Sequence, residues 1–235
     1  MQSNSVIIAV LLSLATLAGG PATAQAVPSA AAQQVAAQER DAAAAASRGL
    51  AQFARQTLQD FGGRLPEGFP LDVARAGDLA AARVGPGFPL YSVDPQKLLT
   101  GGDISQLMAP TGSWRFVIYL QQRPLGLVTV ERVAGRWEAV AYGAAGLAKS
   151  LESLQAAYGN AARSNTRFVR VYQAQADFLE VTPAGGGKPR FAALNPAYQP
   201  LQRQAAGAGA NGLLDSADFI ESLRATVRSN LSNVR

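Results

Sequence analysis

The chain has 235 residues, with 21 Lys and Arg against 16 Asp and Glu, and it contains neither His nor Cys. The missing imidazole and thiol groups exclude Ser–His and Cys–His nucleophile pairs, disulfides and the usual structural zinc sites. Carboxylates, Lys, Tyr, Ser and Thr remain as catalytic groups, so a non-catalytic role is favoured over an enzyme and no cofactor is expected. The net charge of +5 favours anionic partners such as wall polymers, lipopolysaccharide or acidic glycans, although the same charge also serves solubility.

The first residues have the pattern of a secretory signal. An apolar run from Val6 to Ala18 is followed by small residues that permit cleavage after Ala24 or Ala26. The run is too short for a membrane span, which needs about 20 residues. The residues before it carry no Lys or Arg, which leaves an uncleaved anchor as the alternative. We expect a signal peptide at residues 1–24, a secreted or periplasmic protein, and no transmembrane span after cleavage.

Two segments precede the predicted sheet. Residues 25–38, rich in Ala, Gln, Val and Ser, predict a flexible start of the mature chain. The Ala-rich segment 39–62 predicts an N-terminal helix that ends at Gly62 and Gly63. Four of its residues fall on one helical face and are expected to be buried, namely Leu50, Ala54, Leu58 and Phe61.

An α+β domain is predicted over residues 63–204. Its first part contains Gly-Phe-Pro-Leu twice, and the second copy leads into an edge strand at residues 91–93, since proline precedes it. From Trp114, apolar residues alternate with other residues, and strands at 127–133 and 136–142 complete a β-meander. A helix at 147–158 separates it from a second meander.

The two meanders show a weak internal similarity. Arg115-Phe116-Val117 recurs as Arg167-Phe168-Val169 at a spacing of 52 residues. An internal duplication accounts for this, and so does the general likeness of any two meanders. A linker at 205–212 and a C-terminal helix at 213–235 complete the prediction. The fold class is therefore α+β: an antiparallel sheet from two three-stranded meanders separated by a helix, with N-terminal and C-terminal helices.

The candidate binding surface is one face of the second meander. If its valines pack toward the core with Leu179 and Val181, then alternate residues of the strand carry aromatic and basic groups on the opposite face, as in sheets that stack rings or sugars. We predict a binding face formed by Phe168, Arg170, Tyr172 and Phe178, with Arg115 and Tyr119 of the first meander. The alternative is that helices cover this face and that Arg170 pairs with Glu180.

Other candidate groups have ordinary structural explanations. The Gly-rich turn at 143–146 fits neither nucleotide-binding spacing, and Lys149 with Ser153 has the reverse of a Ser-x-x-Lys order. The acidic pairs are expected at turns and helix caps, where Asp satisfies backbone donors, and they comprise Asp94 with Asp103 and Asp215 with Asp218. No acidic cluster has Ca²⁺-loop spacing, so no metal site is predicted.

The sequence therefore favours an exported, non-catalytic protein that binds an anionic envelope polymer or a protein partner. A carboxylate-dependent hydrolase and a scaffold protein assembled through its helices remain alternatives. Nothing in the chain predicts specific nucleic-acid binding, and the oligomeric state stays open.

Overall fold

The computed structural model describes residues 29–194, 196–207 and 212–233. The predicted signal peptide at 1–24 and the first residues of the predicted flexible segment lie outside these ranges. Residues 208–211 of the predicted linker also lie outside them, whereas residues 205–207 belong to a helix. Among the residues described, no helix combines the length and the apolar character needed to cross a membrane.

The helices and strands follow each other in a mixed order along the chain. The helices are α1 (Ala30–Phe61), α2 (Pro95–Thr100), α3 (Ile104–Leu107), α4 (Ala145–Tyr158), α5 (Gln199–Gly207) and α6 (Ser216–Ser232). The strands are β1 (Arg83–Val93), β2 (Met108–Leu120), β3 (Arg123–Val133), β4 (Arg136–Gly143), β5 (Thr166–Val171), β6 (Ala176–Val181) and β7 (Arg190–Ala193). Short 3-10 helices lie at Ala76–Ala81, Tyr172–Ala174 and Pro196–Tyr198.

The described strands form one seven-stranded sheet in the order β4-β3-β2-β1-β5-β6-β7. Neighbouring strands run antiparallel, except that β1 and β5 run parallel. Strands β2 to β4 form one meander and β5 to β7 form the other, with α4 between them. The predicted α+β class, with two meanders and a helix toward each end of the chain, is confirmed.

Strand β1 lies in the centre of the sheet, so the edge strand predicted for residues 91–93 is wrong. That prediction rests on proline, which cannot donate a hydrogen bond to a neighbouring strand. The register of β1 against β2 shifts between Val84 and Gly87 and again between Pro89 and Tyr91. Pro86 and Pro89 thus lie beside irregularities of the ladder, where a central strand tolerates a missing donor.

Helix α1 begins at Ala30, so residues 30–38 are helical although a flexible segment is predicted there. The Ser29 hydroxyl caps the helix by accepting a hydrogen bond from the Ala32 backbone N–H. Small alanines let α1 approach the sheet closely, and its buried apolar residues are Ala42, Ala45, Ala46, Leu50 and Ala54. Leu58 and Phe61 are exposed, so the predicted apolar face is correct only for its first half.

Helices α1 and α6 cover the same face of the sheet. Trp114 and Phe116 of β2 pack with α1, while Val169 of β5 packs with α6. Tyr91 links the two regions. It lies on the same face of β1 as Pro89, which pairs with Trp114 of β2. It also pairs with Val169 of β5 and packs among the buried apolar side chains around Phe219 and Leu223 of α6, which we call the α6 cluster. One face of the sheet is therefore divided between two helices.

Helix α4 covers part of the opposite face. Its buried residues Ala148 and Leu151 pack against Val117, Phe168 and Leu179 from three different strands. Residues that alternate along β2 and β5 consequently face different helices. Phe116 packs beneath α1 whereas Phe168, its match at the 52-residue spacing, packs beneath α4. The sequence similarity thus does not place matched residues in equivalent positions.

Candidate functional site

Four of the six predicted binding residues lie together on the α4 side of the sheet. The guanidinium carbon of Arg115 lies 5.2 Å from the centroid of the Phe168 ring. The guanidinium carbon of Arg170 lies 5.6 Å from the centroid of the Tyr172 ring. Asp177 joins this group through Arg170. We call these five residues the Arg115 face.

Phe178 lies on the opposite side of the sheet. The register of β5 with β6 pairs Phe168 with Leu179 and Val169 with Phe178, so Phe178 is buried in the α6 cluster. The prediction that Phe178 lies beside Phe168 is wrong by one residue of register, which exchanges the two faces of a strand. The 3-10 turn at Tyr172–Ala174 connects the strands and sets this register.

Tyr119 lies farther along β2, beneath α4. Burial raises the pKa of the Tyr119 hydroxyl well above its usual range, and a hydrogen bond to Glu152 acts in the same direction. Glu152 also forms an ion pair of 3.2 Å with Arg163. Tyr119 therefore belongs to a separate polar cluster around α4 and not to the Arg115 face.

Arg115 is the central group of the Arg115 face. Its Nε and Nη1 atoms are buried, and no described residue accepts a hydrogen bond from either of them. Burial lowers the pKa of the Arg115 guanidinium and the nearby Arg170 lowers it further, whereas Asp177 acts in the opposite direction. A guanidinium stays protonated at neutral pH, so Arg115 holds a positive charge with two unused donors against the ring of Phe168.

Arg170 differs from Arg115 because its charge is paired. Nη1 of Arg170 donates to both carboxylate oxygens of Asp177, at 3.0 and 2.8 Å. Burial raises the pKa of Asp177, although Arg170 and Arg115 both act to lower it. Tyr172 is 48% exposed and offers the accessible ring of the Arg115 face. The pairing of Arg170 with Glu180, which belongs to the alternative interpretation of the sequence, is therefore wrong, since the strand register places Asp177 opposite Arg170.

Asp177 is the residue of this face that the sequence prediction misses. It follows Arg170 by seven positions, across the turn that joins β5 and β6. Identifying the 3-10 turn would have placed the carboxylate opposite the guanidinium. Glu131 marks the other border of the surface, where its Oε1 accepts a hydrogen bond from the Ser113 hydroxyl at 3.2 Å.

The remaining acidic and nucleophilic candidates have structural partners. Asp94 and Asp103 cap α2 and α3, and Asp215 forms a capping box with Asp218 at the start of α6. Lys149 forms an ion pair of 2.5 Å with Asp72, and the Ser153 hydroxyl donates to the Lys149 carbonyl. Within the described ranges, no group of three or more Asp or Glu side chains has the geometry to hold a metal ion.

A cleft lies between the first residues of β1 and β5, and the sequence gives no signal for it. Its volume is about 450 Å³, and both faces of the sheet contribute to its lining. Phe168 lines this cleft and also supports Arg115. We call this space the β1–β5 cleft.

Comparisons of the chain with family models, with curated proteins and with solved structures found no match. No relative's functional residues can therefore be transferred to this chain. The two surfaces have to be interpreted from their own chemistry.

Proposed function

We propose that the chain is an exported, non-catalytic binding protein whose Arg115 face holds an acidic group of an envelope carbohydrate polymer. The observation that carries this proposal is the Arg115 guanidinium, whose Nε and Nη1 atoms donate to no described residue. A buried donor without an acceptor costs about 1–3 kcal/mol of folding free energy. A ligand that supplies the acceptor removes this cost on binding.

The chemistry of the face suits an acidic sugar. A guanidinium edge presents parallel N–H groups that match the two oxygens of a carboxylate, sulfate or phosphate group. The ring of Tyr172, which is exposed beside Arg170, offers a flat surface for a sugar ring. Because Nε and Nη1 of Arg115 are buried, a ligand reaches them after a side-chain rotation, a change that is common on binding.

Arg115 supplies the specific contact because its neighbour is already neutralised. Asp177 binds Arg170 with both carboxylate oxygens, so little charge of Arg170 is left for a ligand. The net charge of +5 adds a long-range attraction toward any polyanion. This general attraction is screened by salt, whereas a contact to a partly buried guanidinium is screened less.

The experiment compares two arginines that both lie over aromatic rings. Titration calorimetry measures binding of oligogalacturonate, with its methyl ester as the uncharged control, to wild type, Arg115→Met and Arg132→Met. Arg132 lies 4.8 Å from the Trp137 ring centroid, so its variant loses an equal charge at another part of the sheet. We expect Arg115→Met to weaken binding about tenfold or more, from the loss of charge-assisted hydrogen bonds, and Arg132→Met to weaken it less than threefold.

Two results would contradict the proposal. Equal losses of affinity in both variants would mean that net charge alone accounts for binding. Failure of the wild-type chain to distinguish the acid from its ester would remove the role of an acidic group.

A further inference from the structure

The β1–β5 cleft follows from the pairing of the two parallel strands. They form backbone pairs at three positions, Leu90 to Ser92 with Phe168 to Arg170. Toward their first residues the strands separate, since β1 continues beside β2 whereas β5 begins at Thr166. Apolar and aromatic side chains line the resulting space from both faces of the sheet, namely Phe88, Tyr91, Trp114, Leu151, Phe168 and Leu179.

Gln155 of α4 provides a buried hydrogen-bond donor in this lining. Its side chain is 9% exposed, and no acceptor for Nε2 exists among the described residues. Its Oε1 accepts a hydrogen bond of 2.9 Å from the Thr166 hydroxyl. That hydroxyl also lies 3.2 Å from the Arg163 carbonyl, so Thr166 has a second acceptor and does not require Gln155. Nε2 packs against Gly159, so the amide of Gln155 reaches a ligand in the cleft after a side-chain rotation.

Charged groups of opposite sign lie on the α1 side of the cleft. Arg167 binds the buried Glu180 through Nε, and its guanidinium lies 5.4 Å from the Tyr91 ring centroid. The Arg167 side chain is 37% exposed and lines the cleft. Glu39 of α1 also lines the cleft and forms no ion pair with any residue that the structure describes.

We infer that the β1–β5 cleft binds a small zwitterion with an apolar body, namely an apolar amino acid or a short apolar peptide with free ends. Its carboxylate would pair with Arg167 on the α1 side of the sheet. An oxygen of the ligand that reaches the α4 side would accept a hydrogen bond from Nε2 of Gln155. Its ammonium group would pair with Glu39. The apolar side chains would lie among the aromatic rings, in a volume within the usual range of small-molecule sites.

The test uses a ligand whose two charges can be removed separately. The probes are phenylalanine, the dipeptide Leu-Phe, the tripeptide Leu-Leu-Phe, N-acetyl-Leu-Phe and Leu-Phe amide. Binding is measured by calorimetry and by the change in tryptophan fluorescence, to which Trp114 contributes from the lining of the cleft. We expect acetylation and amidation of the dipeptide each to weaken binding at least tenfold in wild type. The order of affinity among the three unmodified probes distinguishes a free amino acid from a peptide.

A matched pair of variants assigns the ammonium contact. In Glu39→Gln the unmodified dipeptide should bind about tenfold more weakly, and N-acetylation should then have no further effect. Asp41→Asn removes one carboxylate from an exposed position of the same helix and should bind all probes like wild type. If acetylation weakens binding equally in wild type and in Glu39→Gln, the zwitterion assignment is wrong.

Gln155→Met separates a binding role from a structural one. Because methionine removes an unpaired amide and Thr166 retains its second acceptor, the free variant should be as stable as wild type or more stable. Its affinity for Leu-Phe should fall at least fivefold. Unchanged affinity, or no wild-type binding of any probe at about 10 mM, which would mean a Kd well above the millimolar range, would overturn the inference.

Discussion

The ion pair between Arg170 and Asp177 allows the electrostatics of the Arg115 face to be tested without a ligand. The side chains of Arg170 and Asp177 are 27% and 13% exposed, so the pair is mostly removed from water. We consider Arg170→Gln, which leaves the carboxylate without its counter-charge, and Asp177→Asn, which leaves the guanidinium. Asp177→Asn preserves the side-chain volume, and Arg170→Gln keeps the polar character of the side chain while it shortens it and removes the charge.

The two variants should lose unequal amounts of stability. Removing one partner of a buried pair costs about 3–5 kcal/mol, and the residual exposure of this pair favours the lower end, about 3 kcal/mol, for Arg170→Gln. In Asp177→Asn the guanidinium of Arg170 remains over the ring of Tyr172 and can turn toward water. We therefore expect this variant to lose about 1–2 kcal/mol of folding stability. Arg75→Gln breaks an exposed pair with Asp78 and should leave the stability nearly unchanged.

The pH dependence has a definite sign. Burial raises the pKa of Asp177 above its usual value of 3.8, so the folded state binds this proton more tightly than the unfolded chain does. Such a group makes its full contribution to the folding stability at pH values below the pKa that it has in the unfolded chain. This contribution is lost as the pH rises through the pKa that the group has in the folded state. Loss of Arg170 raises the pKa of Asp177 further. The stability that Arg170→Gln loses relative to wild type should therefore be small below about pH 4 and should grow toward neutral pH.

Urea unfolding at several pH values measures these differences through the transition midpoint and its slope. At neutral pH the expected order of loss is Arg170→Gln, then Asp177→Asn, then Arg75→Gln. A larger loss in Asp177→Asn than in Arg170→Gln would refute the reasoning. So would a deficit of Arg170→Gln that increases toward low pH, because the buried carboxylate would then not be its cause.

Three further predictions concern packing. Gly49→Ala should cost about 1–3 kcal/mol in urea unfolding, because a Cβ would collide with Ala139, whereas Gly146→Ala in open space should be neutral or stabilising by about 0.5 kcal/mol. Phe219→Ala, which removes the fully buried ring at the centre of the α6 cluster, should cost about 3–5 kcal/mol in the same assay. Burial raises the pKa of Tyr142 to about 12, so Tyr142→Phe should leave the absorbance titration of tyrosine between about pH 9 and 11 unchanged.

The sequence predicts the two meanders because their signals are local. Large apolar residues alternate along Trp114 to Leu120 because they pack beneath α1 on one side of the strand, and this alternation identifies β2 without knowledge of its neighbours. The central position of β1 depends instead on parallel pairing with β5, whose residues lie far away in the chain. The prolines at 86 and 89 therefore indicate an edge strand to a reader of the sequence. The register shifts that accommodate them within a central strand have no recognisable sequence pattern.

The candidate site is predicted in part for a similar reason. Residues two apart on one strand share a face, so Phe168 and Arg170 are correctly placed together. Phe178 is misplaced because its face depends on the register across a turn, and a shift of one residue reverses every assignment. The sequence prediction misses Asp177 for the same reason, because the position of Asp177 opposite Arg170 also depends on this register. The prediction that Arg115 lies with residues of β5 is correct because β2 and β5 are the first strands of their meanders and both pair with β1.

Both candidate sites lie where β1 joins the two meanders. Strands β1 and β5 are each held by an antiparallel neighbour along most of their length, but they pair with each other at three positions. The β1–β5 cleft opens toward the first residues of the two strands, whereas Arg170, Tyr172 and Asp177 of the Arg115 face lie toward the other end of the contact. Phe168 belongs to the first backbone pair of the contact, lies beneath Arg115 and lines the cleft. Such a junction is produced by topology and not by a local motif, which is why no motif in the sequence marks either site.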